Sequence, residues 1–157
     1  MNREASSSTP PHMVGRADRG RGCLLGLALG DALGAPFEFR RAKDIPSPLP
    51  ALQLPWMGLP AGSTTDDTAM ARNLVRSLVE KNGFDPVDLS ARHLAWYRSD
   101  PPDVGSLTGR VLRRISKGTP AEEAARSVWR ERGPEVSAGN GSRHVLRAAG
   151  RGVLGPA

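Results

Sequence analysis

Ser63-Thr64-Thr65-Asp66-Asp67-Thr68-Ala69-Met70 decides how the rest of the chain reads. Two adjacent carboxylates stand among hydroxyls, and an apolar helical pattern follows at once. Met70, Leu74 and Leu78 recur every four residues with Ala71, Val75 and Val79 beside them, the period of one buried helix face. Arg72, Asn73, Arg76, Ser77 and Glu80 fall on the opposite, wet face, and Asn82-Gly83 ends the helix. The acidic pair therefore lies at a helix N-terminus, where unpaired N–H groups and the macrodipole favour negative charge.

Two accounts of this pair stand side by side. One is ordinary N-capping, for which Thr and Asp are common residues. The other is a metal site. Adjacent carboxylates repel unless a cation or hydrogen-bond donors neutralise them. Carboxylate and hydroxyl oxygens are hard ligands, suited to Mg²⁺ or Mn²⁺. Zinc fits poorly, because the three histidines and the single cysteine lie away from this stretch in sequence.

Upstream, residues 45–62 are rich in proline and lack a period, which predicts a long irregular loop leading to Ser63. Before it, residues 19–33 read as a helix. Leu25, Leu29 and Leu33 form one ridge, and Gly22, Gly26, Gly30 and Gly34 form another. Each interior glycine costs roughly 1 kcal/mol of helix propensity relative to alanine. Their regular spacing predicts the close approach of another backbone. The helix runs out in Gly30-Asp31-Ala32-Leu33-Gly34-Ala35-Pro36-Phe37-Glu38-Phe39. Either Asp31 binds backbone amides and Glu38 is merely exposed, or both carboxylates line a polar cleft. Residues 1–18, with Ser6-Ser7-Ser8-Thr9-Pro10-Pro11, read as a disordered tail.

Downstream, Asp85-Pro86 opens a helix to about Arg98 that would bury Val87, Ala91, Leu94 and Trp96, with His93 packed or at the surface. A proline-rich turn over 99–105 leads to a helix from Ser106. That helix would bury Leu107, Val111 and Ile115, solvate Arg110, Arg113, Arg114 and Lys117, and stop at Gly118. Thr119-Pro120-Ala121-Glu122 reads as a capping box for a fifth helix, with Ala121, Ala124, Ala125 and Val128 inward and Gly133 at its end. Ser137-Ala138-Gly139-Asn140-Gly141-Ser142 is a loop that either presents N–H groups to a phosphate or simply turns. No stretch shows a strand pattern, so the expected class is all-α.

At 157 residues the chain is one domain or part of one. A net charge of +6 permits an anionic partner, but the arginines are spread and no base-stacking motif accompanies them, so nucleic acid is not expected. The lone Cys23 excludes an intramolecular disulfide framework and fits a cytoplasmic location. No run is long enough to cross a membrane and no secretory signal opens the chain, so no membrane partner is expected.

Together these stretches resemble the ADP-ribosylglycohydrolase family. The landmarks, in the family's order, are Leu24-Leu25-Gly26 through Gly30-Asp31-Ala32-Leu33-Gly34 with Glu38, then Thr65-Asp66-Asp67-Thr68, then Asp103-Val104-Gly105 with Thr108, then Gly139-Asn140-Gly141-Ser142. The resemblance implies an all-α fold and hydrolysis of the bond joining ADP-ribose to a protein or a small acceptor, with two Mg²⁺ ions. Thr65, Asp66 and Asp67 match metal ligands. Asp103 and Glu38 match carboxylates that act in or beside catalysis. Asp31, Gly105, Gly139, Asn140, Gly141 and Ser142 match positions facing the substrate.

The family completes its metal site with a second acidic cluster, Asp-x-Asp-Ser/Thr, which this sequence lacks. The expectation is therefore a C-terminally truncated domain over 19–157, with at most one weak Mg²⁺ site and impaired hydrolysis. The alternative is a non-catalytic remnant that binds ADP-ribose or plays a structural part. From Arg143 onward the sequence departs from the family pattern at once, and it reads either as an out-of-frame tail or as a natural short form.

Overall fold

A computed structural model describes residues 15–137. Five helices carry the described chain: α1 (Arg16–Gly34), α2 (Asp66–Glu80), α3 (Pro86–Arg98), α4 (Ser106–Ser116) and α5 (Ala121–Arg132), with short 3₁₀ turns after α1 and α5 and in the long loop. Among the described residues β pairing is limited to one isolated bridge between Trp56 and Leu59. Met57 and Gly58 between them both take positive φ, the signature of a tight reverse turn. The all-α class is thus as expected.

The helices pack in chain order, α1 on α2, α2 on α3, α3 on α4 and α4 on α5. The connections from α2 onward are short, as in helical bundles where neighbours in sequence pack together, whereas a long loop joins α1 to α2. The core is small-residue rich: Ala71 and Leu74 on α2, Leu112 on α4, Ala124 and Val128 on α5, and Ala32, Ala35 and Phe37 at the end of α1.

The helix signals hold at several ends. Asp85 caps α3 through bonds from the Val87 and Asp88 amides, with Pro86 at the first helical position. Past α2, Asn82 takes φ 51°. The Asn82 and Gly83 amides donate to the Val79 and Leu78 carbonyls, a left-handed C-terminal cap.

The faces are a different matter. Asn73 and Ser77, expected in water, are buried on α2, while Val79 is exposed. For Asn73 the reason is polar pairing: its Nδ2 bonds the Arg92 carbonyl and lies 3.3 Å from His93 Nδ1. Arg92 then joins Asp88 on its own helix to Glu80 on α2. The α2–α3 contact is therefore partly a polar seam, and Val87 and Ala91, expected inside, face solvent. On α4 the fully buried residue is Leu112, while Leu107, Val111 and Ile115 are half-buried. Arg114 is not just solvated: its guanidinium bonds Ser127 and Glu131 on α5. Ala125 on α5 is exposed. The capping box is also corrected, since α5 is capped by Pro120 with no side-chain bond.

The glycine stripe of α1 needs the largest correction. A methyl group built on Gly22, Gly26, Gly30 or Gly34 would meet nothing within 4 Å, so no second backbone approaches among the described residues. The helix nevertheless runs unbroken through Gly30. Leu25 and Leu29, expected in the core, are 64% and 53% exposed. The helix also begins at Arg16, inside the stretch expected to be a tail.

Candidate active site

The N-terminus of α2 is built by two capping systems at once. Thr65 is the N-cap, and its hydroxyl accepts from the Asp67 amide at 3.3 Å. Asp31, near the end of α1, reaches across to the same turn. Its Oδ2 accepts from the Thr65 amide at 2.9 Å, from the Thr68 amide at 3.2 Å and from the Thr68 hydroxyl. Asp31 thus binds backbone amides at the start of α2, and the N-cap itself is Thr65 rather than Asp66 or Asp67.

Asp66 turns toward the α3–α4 connection. Its Oδ2 accepts the Gly105 amide at 2.9 Å. A methyl group on Gly105 would sit 3.4 Å from that oxygen, so glycine lets the backbone come this near the carboxylate. The Asp103 carboxyl lies against Asp66, and the two share a cleft of about 200 Å³ with Thr64, Thr65, Thr68, Ala69, Arg72, Trp96, Pro101 and Pro102.

Charge has accumulated here. Burial, followed by repulsion from Asp66, pushes the Asp103 carboxyl up to about 6. Glu38 is also raised, first by loss of water around it and then by Asp103, Asp66, Asp31 and Asp67. Glu38 and Asp103 thus feel the acids of α1 and α2, although the two come from separate turns. Gly105 is at the site, but its amide is engaged by Asp66. Gly139, Asn140, Gly141 and Ser142 lie outside the described residues.

For a metal ion, the donor chemistry fits: hard oxygens of Thr65, Asp66 and Asp67 beside a surplus of negative charge. The grouping is only partial. Among the described residues no three carboxylate, histidine or cysteine side chains come together to hold an ion. Sequence reading did not mark Arg72 and Trp96 as cleft residues. The repeat Thr65, Thr68, Ala69, Arg72 on one helix face was the available signal.

Fold and cleft together define an all-α domain whose acidic site straddles the start of one helix and the turn before another. The chain belongs to the ADP-ribosylglycohydrolase family, whose pattern matches residues 13–156. It is 38% identical to the ADP-ribosylhydrolase ARH3 of Gallus gallus over 159 residues, covering 92% of this chain and 41% of that protein. It is 39% identical to the ADP-ribosyl-[dinitrogen reductase] glycohydrolase of Rhodospirillum rubrum over 107 residues, covering 65% and 36%. With the ADP-ribosylarginine hydrolase Tri1 of Pseudomonas putida the identity is 32%, covering 95% and 38%. A solved structure, an ADP-ribosylglycohydrolase-related protein complex, superposes with a TM-score of 0.58 at 32% identity, covering 89% of this chain and 50% of that one. The chain thus spans less than half the length of these curated relatives. The family match runs past Ser142 to residue 156.

Proposed function

We propose that this chain forms the acidic half of an ADP-ribosyl hydrolase site, acting on ADP-ribosylated protein or a small ADP-ribose conjugate in the cytoplasm. The observation that carries the reading is the Asp66–Asp103 pair in its cleft, with Glu38 close enough to sense both. Departure of an acceptor from the anomeric carbon of ribose builds positive charge on the sugar, and neighbouring carboxylates stabilise it. Asp103, ionised above about pH 6, has the basicity to take a proton from an attacking water. Asp66 holds the turn in place through the Gly105 amide and keeps Asp103 basic. Thr65, Asp66 and Asp67 would hold Mg²⁺, which would supply positive charge to orient the ribose hydroxyls.

Because the described ligand set is partial, slow turnover and one weak Mg²⁺ site are expected, with a non-catalytic ADP-ribose-binding module as the second reading. Release of ADP-ribose from an ADP-ribosylated peptide, followed with and without Mg²⁺, separates the two. Asp103→Asn should abolish any release. Asp66→Ala and Asp67→Ala should each weaken Mg²⁺ binding in calorimetry. If neither does, capping is the whole account of the pair.

A further inference from the structure

The cleft is lined by unlike groups: the carboxylates of Asp66 and Asp103, and the guanidinium of Arg72. Thr65, Thr68, Ala69 and Arg72 follow the i, i+3, i+4, i+7 rule, so a single face of α2 floors the cleft from end to end. Six residues separate Asp66 from Arg72, roughly 9 Å of helix rise. Arg72 is exposed, and it is the one cation lining the cleft among the described residues. Other helical arginines pair with Asp18, Asp88, Glu80, Glu131 and Glu122, and none of these pairs involves Arg72.

Arg72 shares the cleft with Asp66 and Asp103 but forms no ion pair with either. Its planar fork suits phosphate or carboxylate oxygens. We propose that Arg72 makes its part of the cleft an anion-binding subsite, which holds a phosphate or carboxylate group of the substrate. This rests on the reading of the cleft as an ADP-ribosyl hydrolase site. Two parts of such a substrate carry that chemistry: the diphosphate of ADP-ribose, and acidic residues flanking the modified side chain of an acceptor peptide.

The test is titration of the unaltered chain, Arg72→Ala and Arg72→Lys with three probes: free ADP-ribose, an ADP-ribosylated peptide with acidic flanks, and the same peptide with neutral flanks. Arg72 is exposed, so the variants should melt like the parent. If the diphosphate is the anion, Arg72→Ala weakens all three probes about tenfold and flattens the salt dependence. If the flanks supply it, only the acidic peptide weakens, again about tenfold, and free ADP-ribose is unchanged. Arg72→Lys should recover part of either loss, because the charge returns without the fork. Equal binding of all probes by parent and Arg72→Ala overturns the subsite but leaves the hydrolase reading standing. Failure of the unaltered chain to bind any probe overturns both.

Discussion

Asp103 shows how a single side chain can be set against the stability of its own fold. Its carboxyl titrates near 6 in the folded chain, against an ordinary value of 3.8. The folded state thus binds that proton more tightly than the unfolded state. Burial of the charged carboxylate, with repulsion from Asp66, destabilises the fold in full above about pH 6; the penalty fades as the pH falls toward 3.8 and is gone below it. Asp103→Asn should therefore stabilise the metal-free protein by on the order of 1 kcal/mol at neutral pH, a figure kept small because the cleft is open to water. The gain should vanish in acid. Urea unfolding in chelator at the two extremes checks this, and a stabilisation that persists at low pH would contradict it. The acids themselves were legible in the sequence, because they depart from the apolar or hydroxyl pattern around them. Their division of labour was not. Nothing in the spacing says that Asp31 would take the amides of α2, or that Asp66 would meet the turn at Gly105.

At the scale of elements, the sequence revealed where helices are but misread which face is covered. Caps and glycines act locally, so the ends of α2 and α3 could be read. Burial depends on a neighbour. Asn73 looks wet on a helical wheel, yet it faces α3, where Arg92 and His93 supply its partners. Leu112 lies one residue off the expected stripe, and it is the residue of α4 that the packing buries. Leu112→Ala should cost about 2–4 kcal/mol of unfolding free energy by leaving a void at that buried position. The polar seam has its own signature. Hydrogen bonds from the Arg92 guanidinium hold the Asp88 carboxyl down at about 2, below its ordinary 3.8. That contribution is complete above the ordinary value and is lost as the pH falls through 3.8 toward 2. Melting temperature should drop across that window, and Asp88→Asn should flatten the drop. An unchanged acid limb in the variant would remove the seam from the account.

At the scale of the molecule, the described helices form a series of neighbours, each resting on the next, with α1 at one end and its Leu25 and Leu29 in solvent. The end of α1 is held by the buried Ala32, Ala35 and Phe37 and by Asp31, a carboxylate that serves three donors at the start of α2. The opening amides of a helix ordinarily lack acceptors and trade their hydrogens with water within moments. Thr65 and Thr68 should behave instead like residues of a helix interior, exchanging only when α1 lifts away. Asp31→Ala should make both amides fast and lower stability by roughly 1–3 kcal/mol, while amides late in α2 slow or quicken only with the global change. Deuterium uptake at those two positions then reports whether the first helix is seated on the second.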